Sequence, residues 1–343
     1  MNTHRLAVAL LLVLPTLLAA QETPKPAPKL AKLQPLIGSW HGTGTAQMGP
    51  GEPSKWESQS TYAWALGNFF VQEDTVVTFA DMGKPLVMRS YLGWDAENRS
   101  YVSVGVDNDG TVGVHRIELL GDGSMVQMME SFHEGQTYFE RYTNRIDGDS
   151  MTFAIDMMGA QGPAAQGVQG TMKRTDKAVA IARNAGAFTA TPAPAITKLA
   201  RIAGTYAVEA KMLMMPGAPP MNITGQDVVE KLFDGTVVHV HSTGKAEGHP
   251  ADYVGEAFYG FDQKLGCIRA VFVSSMGEVG DMTGAFTDGG FVLTGAQRYM
   301  GQPCVQRMVT ELGADGAPTK AIGHVLLGTS APCECWNATY TKK

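Results

Sequence analysis

The chain carries one sequence pattern twice. Leu33-x-x-Leu36-Ile37-Gly38-Ser39-Trp40 returns 166 residues later as Leu199-x-x-Ile202-Ala203-Gly204-Thr205-Tyr206. Leu92-Gly93-Trp94-Asp95 returns 167 residues later as Tyr259-Gly260-Phe261-Asp262. Each copy ends on a polar, basic tail, Thr171-Met172-Lys173-Arg174-Thr175 and Thr339-Tyr340-Thr341-Lys342-Lys343. A period this long exceeds that of any solenoid repeat and points to two tandem domains of one fold. The 343 residues suit that division, because half of them can bury a core of their own.

Within each copy, short apolar-alternating runs are separated by turn dipeptides. Val102, Val104 and Val106 alternate with Tyr101, Ser103 and Gly105; Phe153, Ile155 and Met157 alternate with Thr152, Ala154 and Asp156. A period of two makes a strand with two different faces. Asn108-Asp109-Gly110, Gly121-Asp122-Gly123, Asp147-Gly148-Asp149, Asp234-Gly235 and Asp288-Gly289-Gly290 mark turns. About ten strands per copy follow, joined by tight turns, which favours an all-β up-and-down antiparallel meander. Closing it into a barrel removes the exposed edges. The helical exception is a turn or two at Leu30–Leu36 and at Thr197–Ala203, just before each Gly-x-aromatic element.

The first residues have the form of a secretory leader. His4 and Arg5 precede an apolar run, Leu6 to Leu14, and Ala19-Ala20 offers a small-residue cleavage site before Gln21. The run is too short to span a bilayer, and no other apolar stretch reaches that length. The expected division is leader 1–20, Pro-rich tether 21–29, barrel 30–177, Ala/Thr/Pro linker 178–195 with a helical turn at its start, and barrel 196–343. The address is secreted or periplasmic. The formal net charge of −6 and the lack of basic clusters disfavour nucleic acid as a partner. An exported chain permits disulfides, and Cys267, Cys304, Cys333 and Cys335 all lie in the second copy. Cys333 and Cys335 are too close for an easy mutual bridge, so pairing of one of them with Cys304 or Cys267 is expected, with a Cys-x-Cys metal site and free thiols as the alternatives.

The stretch Leu33 to Gly44, with Gly38-x-Trp40-x-Gly42-x-Gly44, resembles the opening of lipocalin-like barrels. There a short helix leads into the first strand and the Trp plugs one end. Nitrobindin-type haem barrels open similarly. With Trp64-Ala-Leu-Gly67-Asn-Phe-Phe-Val71 and Gly93-Trp94-Asp95 followed by Tyr101, the pattern is most similar to an uncharacterised bacterial family, the domain of unknown function numbered 1579. The second copy carries it more loosely, with Tyr206 and Phe261 in place of the two tryptophans. The resemblance implies two tandem lipocalin-like barrels but no mechanism. Haem barrels take an axial His from a late strand; Gly167–Arg174 and Trp336–Lys342 hold none, and His324 lies one strand earlier. No cofactor is expected.

Binding of a small, partly apolar molecule inside one or both barrels is the leading expectation, since barrels of this size enclose room for one. Trp64, Phe70, Trp94, Tyr138 and Tyr142 are the candidate lining of the first barrel. His239, His241, Phe258 and Tyr299 are those of the second. Trp40 and Tyr206 read as end plugs. His239 and His241, two apart on a strand, share one face and are the nearest thing to metal ligands, with His249, Glu230 or His324 as a third group; solvent exposure or single hydrogen bonds explain them as well. No metal site is expected. The methionines, including Met212 to Met215 and Met221, read as core or pocket lining. Asp107-Asn108-Asp109-Gly110 reads as a hairpin turn, because the acidic residue that would close a calcium loop is absent. Glu140 shares a strand face with Tyr138 and Tyr142, opposite Arg141 and Arg145; such groups more often form a solvated face, and the alternative is that one set lines a polar interior. The rival roles are an enzyme, such as a hydrolase or isomerase working inside a barrel, and a structural or interaction module.

Overall fold

The computed structural model describes residues 25–343 apart from 48–51, 134, 160–161, 214–218, 250 and 300, and apart from the side chains of 133 and 163–166. The leader segment and the first residues of the tether lie outside this range, as do Met214 and Met215. Each copy folds as a ten-strand antiparallel meander closed on itself. The first is β1 (Gly38–Ala46), β2 (Ser54–Ala65), β3 (Phe70–Phe79), β4 (Leu86–Asp95), β5 (Ser100–Asp107), β6 (Val112–Leu119), β7 (Met125–His133), β8 (Gln136–Asp147), β9 (Ser150–Gly159) and β10 (Gly162–Thr175). The second is β11 (Gly204–Met212), β12 (Met221–Leu232), β13 (Val237–Ala246), β14 (Asp252–Asp262), β15 (Cys267–Ser274), β16 (Val279–Thr287), β17 (Gly290–Tyr299), β18 (Gln302–Leu312), β19 (Pro318–Leu327) and β20 (Cys333–Lys342). Closure is made by β1 against β10, with Trp40 opposite Arg174, and by β11 against β20, with Tyr206 opposite Lys342.

One end of each barrel is stopped in the same way. A 3-10 segment, Pro28–Leu36, buries Leu30, Leu33 and Leu36 and delivers Trp40 into the end of barrel 1. The Trp40 indole N–H donates to Leu36 O at 2.8 Å. The Arg174 guanidinium lies 4.4 Å over its ring and donates to Ile37 O and Pro35 O. In barrel 2, α1 (Pro194–Leu199) and a 3-10 turn deliver Tyr206, whose hydroxyl donates to Ile202 O at 2.7 Å. Gly38 and Gly204 both have φ in the left-handed range, +128° and +155°, where an L side chain is strained. The chain turns there from helix to strand, which is why Gly recurs before each plug.

The two barrels share an apolar contact built from matching residues. Strand pairings repeat at an offset of 167: Val71 opposes Leu92, and Val238 opposes Tyr259. At that offset Phe70 matches Val237, Tyr91 matches Phe258, Val104 matches Val271 and Val106 matches Val273. All eight pack in one buried cluster between the barrels. Tyr91 and Phe258 face each other, ring centroids 6.1 Å apart. A contact that meets its own counterpart is isologous, the geometry of a two-fold interface. The apolar face of β5 (Val102, Val104, Val106) therefore points outward, and Ser103 and Gly105 line the inside.

The linker is tied down along its length. Val179 N donates to Thr61, Thr189 N and its hydroxyl donate to Asp109, and Arg183 O accepts from Phe233 N. Ile181 is buried in the inter-barrel cluster. Its helical turn stands at the end rather than the start, because Pro194 occupies the first turn of α1, where its missing N–H costs nothing. Asp107 to Gly110 is a hairpin turn: Asp107 Oδ1 accepts from the amides of Asp109 and Thr111.

If Trp40 is the plug, Trp40→Ala should destabilise the chain by about 3–5 kcal/mol and Tyr206→Phe by about 1 kcal/mol in urea unfolding. A Trp40→Ala protein unfolding at the wild-type midpoint would sink that reading.

Candidate functional site: the hollow of barrel 1

Barrel 1 encloses a cavity of about 310 Å³, within the range of small-molecule sites. It exists because short side chains stand at inward positions: Ser58 and Ser60 on β2, Ser90 on β4, Ser103 and Gly105 on β5, and Gly113 on β6. Larger apolar groups, among them Trp56, Met88, Met129, Met151 and Phe153, complete the wall. Trp56 is held edge-on to Phe153 with ring centroids 6.1 Å apart, and its indole N–H donates to Thr45 O. Its ring leaves room for nothing beyond hydrogen at Gly170, where a methyl would approach within 2.3 Å.

Polar groups converge on this wall. Tyr62 Oη donates to Glu73 Oε1 at 2.6 Å. The Thr75 hydroxyl lies 3.0 Å from the same oxygen and 2.7 Å from Ser60 Oγ. Burial raises the Glu73 carboxyl above its usual range, and the bonds from Tyr62 and Thr75 only partly offset it. A second carboxyl is held alike: Glu140 accepts from Tyr142 at 2.8 Å and from Ser131 at 2.5 Å. Burial first, and the Glu140 charge second, raise the Tyr142 hydroxyl well above its usual value. Asp107 is pushed up to about 6 by burial. His115 is lowered to about 4, chiefly by burial and then by the Arg269 charge of barrel 2. These groups suit the orientation of a bound molecule by hydrogen bonds.

Barrel 2 carries larger side chains at three of the matching positions. Gly105 corresponds to Phe272, whose ring sits so close over Gly280 that a methyl there would come within 1.8 Å. Leu86 and Leu92 correspond to Tyr253 and Tyr259. The Tyr62–Glu73 pair corresponds to Val229–Val240, both in the core of barrel 2.

Of the residues expected to line the first barrel, Tyr142 lines the cavity. Tyr138 bonds Gln136 nearer the strand end, outside the cavity wall. Trp64 donates to Gln34, and Trp94 lies under Lys29 with its ring against Tyr101, so both serve the plugged end. Phe70 and Phe258 are fully buried in the inter-barrel cluster. His239 and His241 alternate with Val238 and Val240, which face the inside of barrel 2, so the histidines project outward. Both bond one carboxylate, His239 Nε2 to Glu256 at 2.6 Å and His241 Nδ1 at 2.9 Å. Burial alone would raise Glu256, but His239 and then His241 hold it below the usual range. Among the described residues no group of three or more His, Cys, Asp or Glu is arranged to hold a metal ion. Tyr299 packs with Cys304, Cys333 and Cys335 in a small cluster. All four cysteines are free thiols, so the expected pairing of Cys333 or Cys335 with Cys304 is present as proximity rather than as a bond, and Cys267 lies apart on β15.

The sequence reading missed Tyr62, Glu73, Thr75, His115 and Trp56. Their signal was the alternation Trp56-x-Ser58-x-Ser60-x-Tyr62 on β2, which places one aromatic-and-hydroxyl face opposite a charged one. Glu73 stood beside Gln72 and Asp74, and only the register separates it as the inward member.

A closed ten-strand up-and-down meander, stopped by an aromatic plug behind a short helix and hollow within, defines a lipocalin-like barrel, here in tandem with a second. The chain belongs to the family described as "Protein of unknown function (DUF1579)", whose model matches residues 25–174 and 191–311. No curated protein matches it. Among solved structures, Rv2717c from M. tuberculosis is 20% identical, over 44% of this chain and 99% of its own, with a TM-score of 0.34. A Nostoc punctiforme protein with unknown function from the DUF3598 family is 10% identical, over 92% of this chain and 100% of its own, with a TM-score of 0.26.

His115 yields a signed prediction. Its folded value lies below the ordinary 6.5, so the unfolded chain takes the proton more readily. Its contribution is fully present above pH 6.5 and is lost as pH falls toward 4. Asp107 acts oppositely: its folded carboxyl keeps a proton from about pH 6 downward, so stability is regained on acidification. His115→Gln removes only the first effect. Between pH 6.5 and 4, wild type should lose on the order of 2 kcal/mol relative to the variant in urea unfolding. Parallel stability curves would refute this.

Proposed function

We propose that this protein binds a small, partly apolar molecule inside barrel 1. The observation that carries the reading is the hollow lined by both apolar and hydrogen-bonding groups, at positions where barrel 2 carries Phe272, Tyr253 and Tyr259. A cavity kept open by serines and glycines leaves its methionines and aromatics without partner atoms across the gap. Filling it recovers those contacts. Barrel 2 and the linker then act as a brace that holds β3 to β6 of the binding barrel from outside.

Barrel 2 also supplies the blocking variant. A Cβ at Gly105 would meet Ser90 Oγ at 3.5 Å and Arg89 O at 3.9 Å, both ordinary contacts. Gly105→Phe should fold and fill the cavity. Calorimetric titration with 1-octanol should give binding to wild type and at least a tenfold weaker response from Gly105→Phe. Equal binding by the two proteins, or none by wild type and no small molecule retained in its native mass spectrum, would overturn the proposal.

The leader pattern supports export into a secreted or periplasmic space, and no helix among the described residues is long and apolar enough to cross a membrane. N-terminal sequencing of the mature protein should begin at Gln21; an intact Met1 would contradict export.

A further inference from the structure

The cavity has an excess of hydrogen-bond acceptors and no fixed positive charge. Among its described lining residues there is no Lys or Arg. Its titratable groups are Glu73, Asp107, His115, Tyr62 and Tyr142. Arg89, one residue from Ser90, belongs to the outer face, where it pairs with Asp74 at 2.7 and 2.8 Å. Asp107 spends one oxygen on the amides of its own turn. Glu73 differs. Both of its described hydrogen bonds fall on Oε1, from Tyr62 and Thr75, and Oε2 accepts none among the described residues. The Asn144 side chain, in the same wall, has a buried Oδ1 with no donor. Barrel 2 lacks this arrangement, since Val229 and Val240 replace Tyr62 and Glu73.

We propose that the hollow of barrel 1 takes an amphiphile whose head is a protonated amine, seated against Glu73 Oε2, with its hydrocarbon in the apolar part of the wall. This rests on the binding role proposed above and narrows its ligand class. The physical case is one of balance. A carboxylate is costly to bury without a counter-charge, and burial indeed raises the Glu73 carboxyl. An ammonium brings three donors and the missing charge, so its bond to Glu73 is charge-assisted. A carboxylate-headed ligand would meet no cation in the wall, only acids, hydroxyls, the amides of Gln127 and Asn144 and an uncharged imidazole, and would bury a second negative charge beside Glu73. Tyr62 and Thr75 orient the carboxyl and leave its second oxygen for the incoming donor.

Three probes with one hydrocarbon tail separate the outcomes: octylamine, 1-octanol and octanoate, titrated into the full mature protein at neutral pH by calorimetry. The expected order is octylamine tightest, by about tenfold over 1-octanol, the scale of one charge-assisted hydrogen bond, with octanoate weakest. Glu73→Gln keeps the shape of the site and removes the charge. It should abolish the advantage of octylamine over 1-octanol. If octanoate binds as well as or better than octylamine, or if 1-octanol equals octylamine in wild type, the amine assignment falls and the binding role stands. If none of the three binds, both fall. The wild-type series alone decides the matter should Glu73→Gln fail to fold.

Discussion

The constraint on which everything else rests is closure of the sheet. A meander of ten strands with free edges would expose two rows of unpaired amides and carbonyls. Pairing β1 with β10, and β11 with β20, satisfies those rows and fixes a ring of ten strands. Ten strands enclose more space than a backbone can fill, so side chains decide what the inside becomes. The plugs follow from the same need. A closed ring still has open ends, and Trp40 and Tyr206 stop one end of each by bonding back to the turn that delivers them.

Two rings built on one plan have different interiors. Barrel 1 has Gly105, Leu86 and Leu92 where barrel 2 has Phe272, Tyr253 and Tyr259. A polar Tyr62–Glu73 pair in one is an apolar Val229–Val240 pair in the other. The outer faces diverge in charge at matched positions. Asp74 and Arg89 form an ion pair on barrel 1; their counterparts on barrel 2 are His241 and Glu256, also bonded to one another but with the acid on the other strand. The shared apolar contact stays reciprocal, Tyr91 against Phe258, because any change on one side of a self-matching face meets its own counterpart. Divergence is thus concentrated where it costs the interface least, inside the rings and at the rim of the contact.

Much of the fold was legible because it depends on local chemistry. The turn dipeptides and the doubled pattern read directly as hairpins and tandem domains, and the resemblance of the Gly-x-aromatic element to lipocalin-like openings implied the plug. The site was less legible. Trp64, Trp94, Phe70 and Phe258 are large aromatics, which suit a pocket lining, a plug or an interface equally. Tyr142 was found by parity with Glu140, a real inward face. Glu73 was not, because three consecutive polar residues on β3 carry no alternation to single one out. His239 and His241 do share one face, but a period of two does not tell inside from outside.

By itself the sequence determined that there are two domains, that each is a turn-linked antiparallel meander, and that a Gly-x-aromatic element opens each. Those properties arise from backbone pairing, turn geometry and a repeat visible along the chain. Only the tertiary structure decided that Val104 and Val106 face a neighbouring barrel, that Tyr62 reaches Glu73 across β2 and β3, and that the first ring is hollow. A cavity is a difference between the volume a ring encloses and the volume its side chains occupy, and that difference exists only once the ring has closed.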